Sequence, residues 1–363
     1  MFLSWRQQAA DWWTRNERRL SSVALLVGFI IDNLTISRVP LKVVYLGLLT
    51  YLGIAAVCII ILNWLENTPA RRGFKAKLHA FSLIMLQLNF GALFSGFLAF
   101  YSRGSIAASW PFLLILLILL VGNEFLRERY ARISFQITFL FIGVFTYAIF
   151  FTPIVTKSIS DWVFVLSGLC SLVFIYLFIR LIRVISPDRF AESRFLTFGG
   201  IAFSFLAVNA LYFQNLIPPL PLTLKEAAIF HAVARRANGD YVVMTEVKKW
   251  SDRFRLRERV RVREEGSPLY FWSTVFAPTD LETTVIHNWQ KWTEEQGWVS
   301  VFETAFPIKG GRAGGYRGYS LKERVNPGLW RVEVKTARGG VIGRKSFWAE
   351  AGSESLELKQ VIK

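Results

Sequence analysis

Apolar residues fill most of the chain between residues 21 and 217, broken only by short polar loops, and this pattern divides into seven stretches long enough to cross a bilayer. The predicted spans are Ser21–Ser37, Val39–Leu65, Leu78–Tyr101, Ile106–Phe125, Ile133–Ile154, Trp162–Ile182 and Phe195–Ile217. From Tyr241 the period changes. Runs of apolar and β-branched residues alternate with turn residues about every ten positions, which predicts an all-β, immunoglobulin-like sandwich. Trp330, Val332 and Val334 alternate with Arg331, Glu333 and Lys335, the signature of a strand with one buried face.

The loops between the apolar stretches alternate in charge. Fifteen Lys and Arg lie on the N-terminal flank and every second loop: Arg6, Arg15, Arg18 and Arg19, then Arg71, Arg72, Lys75 and Lys77, then Arg127, Arg129 and Arg132, then Arg180, Arg183, Arg189 and Arg194. The opposite loops hold four: Arg38, Lys42, Arg103 and Lys157. The positive-inside rule then puts the N-terminus in the cytoplasm and everything after the seventh span on the far side of the cytoplasmic membrane. The formal net charge of +17 is therefore largely topological, and no nucleic-acid partner is expected from it.

Around this anchor, residues 1–20 place Trp5, Trp12 and Trp13 among arginines at helical spacing, as in a helix lying in the headgroup layer. Pro218, Pro219 and Pro221 form a stiff linker, and Thr223-Leu224-Lys225-Glu226 has the form of a capping box opening a short helix to Ala237. The exported domain spans residues 238–350, and a polar tail from 351 to 363 is expected to be flexible. Cys58 and Cys170 both fall in spans, so the domain must fold without a disulfide.

Candidate chemistry is sparse. Arg253, Arg255, Arg257, Arg259, Arg261 and Arg263 occupy alternate positions, so a strand there would carry six guanidinium groups on one face, either an anion-binding surface or a solvated one offset by Glu264 and Glu265. Arg312 and Arg317 lie in a Gly-rich stretch that lacks the Gly-Lys-Ser/Thr ending of a phosphate loop and reads as a hairpin. His287, the one histidine after Tyr241, has no second metal ligand beside it and shares a strand face with Trp289; these two and Trp272 are candidates for ligand stacking or for core packing. Asp32 and Asn33 in the first span are either an intramembrane polar site or groups hydrated near the far interface. Glu66 and Glu124 end spans beside basic loops, where charge is ordinary, and Gln87 and Asn89 suit interhelical hydrogen bonds. No catalytic constellation, metal site or cofactor motif is recognised.

Several motifs in order, Val275-Phe276-Ala277-Pro278, His287-Asn288-Trp289, Gly310-Gly311-Arg312, Gly315-Tyr316-Arg317-Gly318-Tyr319-Ser320 and Gly328-Leu329-Trp330-Arg331-Val332-Glu333-Val334, resemble the bacterial proteins with domain of unknown function 2914. Pro221-Leu222-Thr223-Leu224-Lys225-Glu226 is similar to the linker that joins this domain to a multi-span anchor in longer members. The resemblance covers the exported part and the anchor loosely, departs from the family at Asn288, where a basic residue is usual, and implies no activity. The expectation is thus a seven-helix anchor presenting a binding module to anionic lipid headgroups or envelope glycans, as an accessory in envelope biogenesis. The alternative is a transporter or membrane-embedded enzyme with a site near Asp32.

Overall fold

The computed structural model describes residues 41–66, 73–102, 106–125, 127–217, 222–237, 240–247, 258–263, 265–277, 281–309, 315–352 and 357–363. The chain divides into a helical unit, running to Leu216, and a β-rich unit from Ile217 onward that also takes in the short segments Arg103–Ser109 and Pro153–Ser160.

Six α-helices fall among the described residues: α1 Leu41–Glu66, α2 Phe74–Tyr101, α3 Ile106–Phe125, α4 Ile133–Thr156, α5 Asp161–Ile185 and α6 Pro187–Phe213. They coincide with six of the seven expected spans; the first span and the interfacial helix lie outside the described residues. Five of the six are long and apolar enough to cross a membrane, while the apolar stretch of α3 is shorter. Away from their ends, these helices expose apolar side chains as well as burying them. On α5, Val163, Phe164 and Ile175 are buried, yet Val165, Leu169, Val173 and Leu177 are exposed, the pattern of a helix whose solvent is lipid. Polar side chains within the helices bond to their own backbone, as Ser167 does to the Val163 carbonyl and Thr197 to that of Ser193.

The largest boundary difference is at the last helix. Helix α6 begins at Pro187 rather than Phe195, with proline at a position that needs no N–H donor and Asp188 in the first turn. Arg183, at the end of α5, lies over the Phe190 ring at 4.9 Å across this one-residue junction.

The second unit is β-rich, with three sheets. Its strands are β1 Thr223–Phe230, β2 Ala232–Arg235, β3 Tyr241–Glu246, β4 Glu258–Val262, β5 Ser267–Phe276, β6 Glu282–Thr293, β7 Gly297–Lys309, β8 Tyr316–Val325, β9 Gly328–Thr336, β10 Val341–Ala351 and β11 Leu358–Ile362. A five-stranded sheet runs β4-β10-β9-β6-β7, a central sheet β1-β5-β8, and a small sheet β11-β3-β2. All pairings are antiparallel except that of β4 with β10.

The central sheet is buried on both faces. Leu269, Phe271 and Val275 of β5 enter the main core with Val285, Trp289, Val332, Val334 and Phe347 of the five-stranded sheet. Trp272, between them on the opposite face, packs with Phe230, Val233, Tyr241 and Val243 against the small sheet. Double burial explains why Tyr270-Phe271-Trp272-Ser273-Thr274-Val275-Phe276 shows no clean alternation of polar and apolar positions. Ile159, from the loop after α4, packs against the main core, and Ser158 bridges to Glu282.

Two sequence expectations are corrected here. Thr223–Phe230 is not a capped helix but strand β1, paired along β5 from Thr223 opposite Phe276 to Phe230 opposite Tyr270. Ile229 enters the main core while Phe230 enters the second one, so the strand uses both faces; tertiary pairing overrides the local capping signal. The tail is not loose throughout, because β11 pairs with β3 and the Lys363 and Tyr241 backbones exchange hydrogen bonds of 2.8 and 3.0 Å. Lys363 also forms an ion pair with Glu226.

Deleting residues 358–363 strips β3 of a partner and removes Val361 from its packing against the second core. The truncated protein should lose stability on the order of 2–4 kcal/mol from backbone hydrogen bonds and apolar burial together, read as a lower midpoint in thermal or denaturant unfolding. An unchanged midpoint would mean that β11 adds nothing.

Candidate functional site

The face of the five-stranded sheet that points away from the main core is polar, and strand register arranges it in cross-strand rows. One row sets Arg344 beside Glu333, Asn288 and Glu303; the next sets Ser346 beside Arg331, Gln290 and Ser300. Glu333 sits at the centre, only 6% exposed, with Arg344 Nε at 2.8 Å and Arg331 Nη2 at 3.4 Å from its Oε1. Gln290 donates to Glu333 Oε2 at 3.4 Å and accepts from Arg331 Nε, while Ser300 donates to Asn288 Oδ1 at 2.7 Å. Burial lowers the Arg331 pKa, with the adjacent Glu333 acting against the shift and Arg344 adding to it. The Arg331 guanidinium also lies over the Trp298 ring at 4.3 Å.

A third row is aromatic. Trp348 of β10 stands opposite Leu329 of β9 and Arg259 of β4, and Trp292 of β6 stands opposite Trp298 of β7. Trp292 and Trp348 are each 45% exposed. Arg259 and Arg261 project from β4 on this side while Val260 and Val262 point into the core, as the alternation predicts; Arg263 just beyond is also exposed. Arg259 lies 3.4 Å from Glu350, both about half exposed. Arg253, Arg255, Arg257 and Arg312 lie outside the described residues. Arg317 is exposed but belongs to β8, opposite Thr274, and therefore to another sheet.

The opposite face holds the polar contacts of the core. His287 is fully buried, with Nε2 at 2.8 Å from Ser273 Oγ and Nδ1 at 3.0 Å from Ser320 Oγ; Trp289 Nε1 donates to the same Ser320 oxygen at 3.0 Å. One arrangement satisfies every group: Trp289 donates to Ser320, Ser320 donates to Nδ1, and the Nε2–H donates to Ser273. That imidazole is neutral, and burial pushes its pKa down to about 3. Phe271 and Phe306 close over it edge-on, with ring centroids 4.7 and 4.8 Å away. The Phe306 ring rests on Gly318, where a Cβ would come within 2.6 Å of it. Gly315, with φ near +90°, turns the chain against Thr274 and Val275 just before β8.

Of the two readings of His287, Trp289 and Trp272, the geometry is that of core packing: all three are interior, and their rings fill the layers on either side of the central sheet. A Ser–His contact at this distance is the geometry of an activated nucleophile, but Ser273, His287 and Ser320 are all sealed from solvent and act here as a polar brace. Among the described residues of the β-rich unit, the exposed tryptophans are Trp292 and Trp348. His231, in the segment expected to be helical, lies between β1 and β2 and contacts Glu246, which also accepts from the Arg261 N–H. Among the described residues no cluster of three metal-ligating side chains occurs.

The helical unit contains a polar chain that sequence reading did not assemble. At one end of the bundle, Glu66 of α1 forms an ion pair with Arg189 of α6 and lies 3.0 Å from His79 Nε2 of α2. Arg189 donates to Asn63 Oδ1 and the Ala131 carbonyl at 3.1 and 2.9 Å. Asn63 donates to Gln136 Oε1 of α4 at 2.8 Å, and Gln136 donates to the Tyr130 carbonyl. Tyr130 in turn bonds to Asn123 of α3, whose amide reaches the Gln87 carbonyl of α2. Asn89 does not cross between helices in this chain of contacts; its amide bonds back to the Met85 carbonyl. Asp32 and Asn33 lie outside the described residues.

Fold and surface together define a chain of membrane-length apolar helices followed by a β-rich domain with a charged, aromatic sheet face. Residues 282–348 match the family described as Protein of unknown function (DUF2914), so the β-rich region carries that domain, from β6 through most of β10. No curated protein matches the chain. Among solved structures, the Pseudomonas fluorescens alkylpurine DNA glycosylase AlkC bound to DNA containing an abasic site analog aligns at 10% identity over 83% of this chain and 98% of that one, with a TM-score of 0.24. A β-glucosidase from Listeria innocua in complex with isofagomine aligns at 17% identity over 32% of this chain and 16% of that one, with a TM-score of 0.19. Superpositions this poor define no shared fold.

The polar brace makes stability depend on acid. An unfolded His287 titrates near 6.5 and the folded one near 3, so the neutral core is fully tolerated above pH 6.5 and stability falls as pH drops from there toward 3. His287→Asn should lower stability at neutral pH and flatten its decline between pH 6.5 and 4; an identical slope in the variant would assign the acid sensitivity elsewhere. In the bundle, Arg189→Leu should lower detergent thermostability by roughly 2–4 kcal/mol by removing the charge partner of a largely buried carboxylate, with partial recovery when Glu66→Gln is added. Equal loss in the single and double variants would count against a charge-matching role.

Proposed function

We propose that the protein is a multi-pass protein of the cytoplasmic membrane that presents its β-rich domain, arranged as a sandwich-type module, on the outer face of that membrane as a binding accessory in envelope biogenesis. The observation that carries this reading is the outward sheet face, where Arg259, Arg261, Arg331 and Arg344 share one surface with exposed Trp292 and Trp348. Binding rather than catalysis is favoured because the strongest candidate pair for chemistry, Ser273 and His287, is enclosed. The basic loop asymmetry supports a seven-span anchor with a cytoplasmic N-terminus.

A reporter active only in the cytoplasm, fused after Lys363, should be silent, whereas the same reporter in the 127–132 loop should be active. Activity at the C-terminal fusion would overturn the orientation and, with it, the envelope-facing role.

A further inference from the structure

We infer that the outward face of the five-stranded sheet is a binding site for an acidic polysaccharide, a chain of uronate-type sugars lying across the strands along the tryptophan row. The inference deepens the binding-module reading above and rests on it.

Register supplies the platform. Trp348 faces Leu329 across the β10–β9 pair, Lys291 faces Trp330 across β9–β6, and Trp292 faces Trp298 across β6–β7. The next step of the β9–β6 register brings Trp292 beside Leu329, so one apolar row crosses four adjacent strands. With strands about 4.8 Å apart, Trp348 and Trp292 stand on the order of 10 Å from one another. That strip is wider than a single pyranose ring and suits a chain of sugars. The rings are also held in place. Trp292 meets Trp298 edge-on at 5.4 Å and lies against Gly297, where an added Cβ would already touch its ring at 3.5 Å; Trp298 is held by the Arg331 guanidinium. Fixed indoles bind at low entropic cost, and their faces take the C–H side of a sugar.

The neighbouring rows choose the ligand. Directly beside the apolar strip, Ser346 and exposed Ser300 stand in one cross-strand row with Arg331 and Gln290, hydrogen-bonding groups at the level where hydroxyls of a stacked sugar would fall. A surface made to enter lipid would instead project apolar side chains beyond its polar ones. Charge selects the acidic class. Arg259 stands opposite Trp348 at one end of the strip, with Arg261 next along β4. The link from Arg259 to Glu350 joins two half-exposed groups, a weak pair that a ligand carboxylate can displace. Alongside the strip, in the rows that β10 and β9 share with it, Glu333 is shared by Arg331 and Arg344, two cations to one carboxylate, which leaves positive charge near the tryptophans.

The test uses the full-length protein in detergent and isothermal titration calorimetry with four probes: a short alginate oligomer, a neutral cello-oligosaccharide, polyglutamate, and phosphatidylglycerol vesicles. The alginate oligomer should bind most tightly and weaken as salt rises. Trp292→Ala with Trp348→Ala should weaken it by about tenfold or more with the far-ultraviolet circular dichroism unchanged, Trp348→Tyr should retain most of the affinity, and Arg259→Gln with Arg261→Gln should weaken binding and flatten its salt dependence. Polyglutamate bound as tightly as alginate, or unchanged binding in the tryptophan variant, would overturn the sugar site. Binding confined to the vesicles would replace it with membrane docking and leave the binding-module reading standing. Absence of binding to all four probes rejects the inference, and only a cytoplasmic signal from the C-terminal fusion rejects the underlying reading as well.

Discussion

The β-rich unit depends on burying its central sheet from both sides. A three-stranded sheet with Phe271 on one face and Trp272 on the other is not stable on its own, and each of its neighbours supplies one of the two covers. The larger cover is the five-stranded sheet. Because that sheet commits only one face to the core, its second face is free to be polar, and the site-like surface follows from the layer order rather than from any local motif.

The brace at His287 sets the spacing between those layers. A neutral imidazole bonded to Ser273 and Ser320 ties β6 to the two strands facing it, while Gly318 leaves room for the Phe306 ring that closes the pocket. At Gly343 the approach of the layers is closer still, since a Cβ there would meet Leu224 at 2.3 Å. The motif residues therefore serve geometry. His287, Trp289, Gly318 and Ser320 converge on one spot, and a function assigned to them because they stand out in sequence would be misplaced.

Much of the helical unit was legible, because twenty or more apolar residues between polar breaks admit few interpretations, and α1, α2 and α4 fall nearly where the pattern puts them. The alternation of Arg259 and Arg261 with Val260 and Val262 was equally readable, since period two needs no partner to be recognised. What failed had non-local causes. Thr223-Leu224-Lys225-Glu226 carries a sound capping signal, and only the pairing with β5, more than forty residues away in sequence, makes it a strand. Whether Trp289 or Trp292 meets solvent was left open for a related reason: both lie on β6, three positions apart, on opposite faces, and composition cannot say which face meets the core. The polar chain through Arg189 was invisible because it joins residues from five helical segments, each unremarkable alone.

The edges of the five-stranded sheet carry a further implication. At one edge the described residues of β4 bear arginines; at the other, the thirteen-residue β7 contains Pro307, which has no N–H to offer. Like charge and a missing donor both discourage a neighbouring molecule from extending the sheet. Copies held side by side in one plane would meet edge to edge far more often than in free solution, so these features allow the protein to be crowded without polymerising through its β-strands.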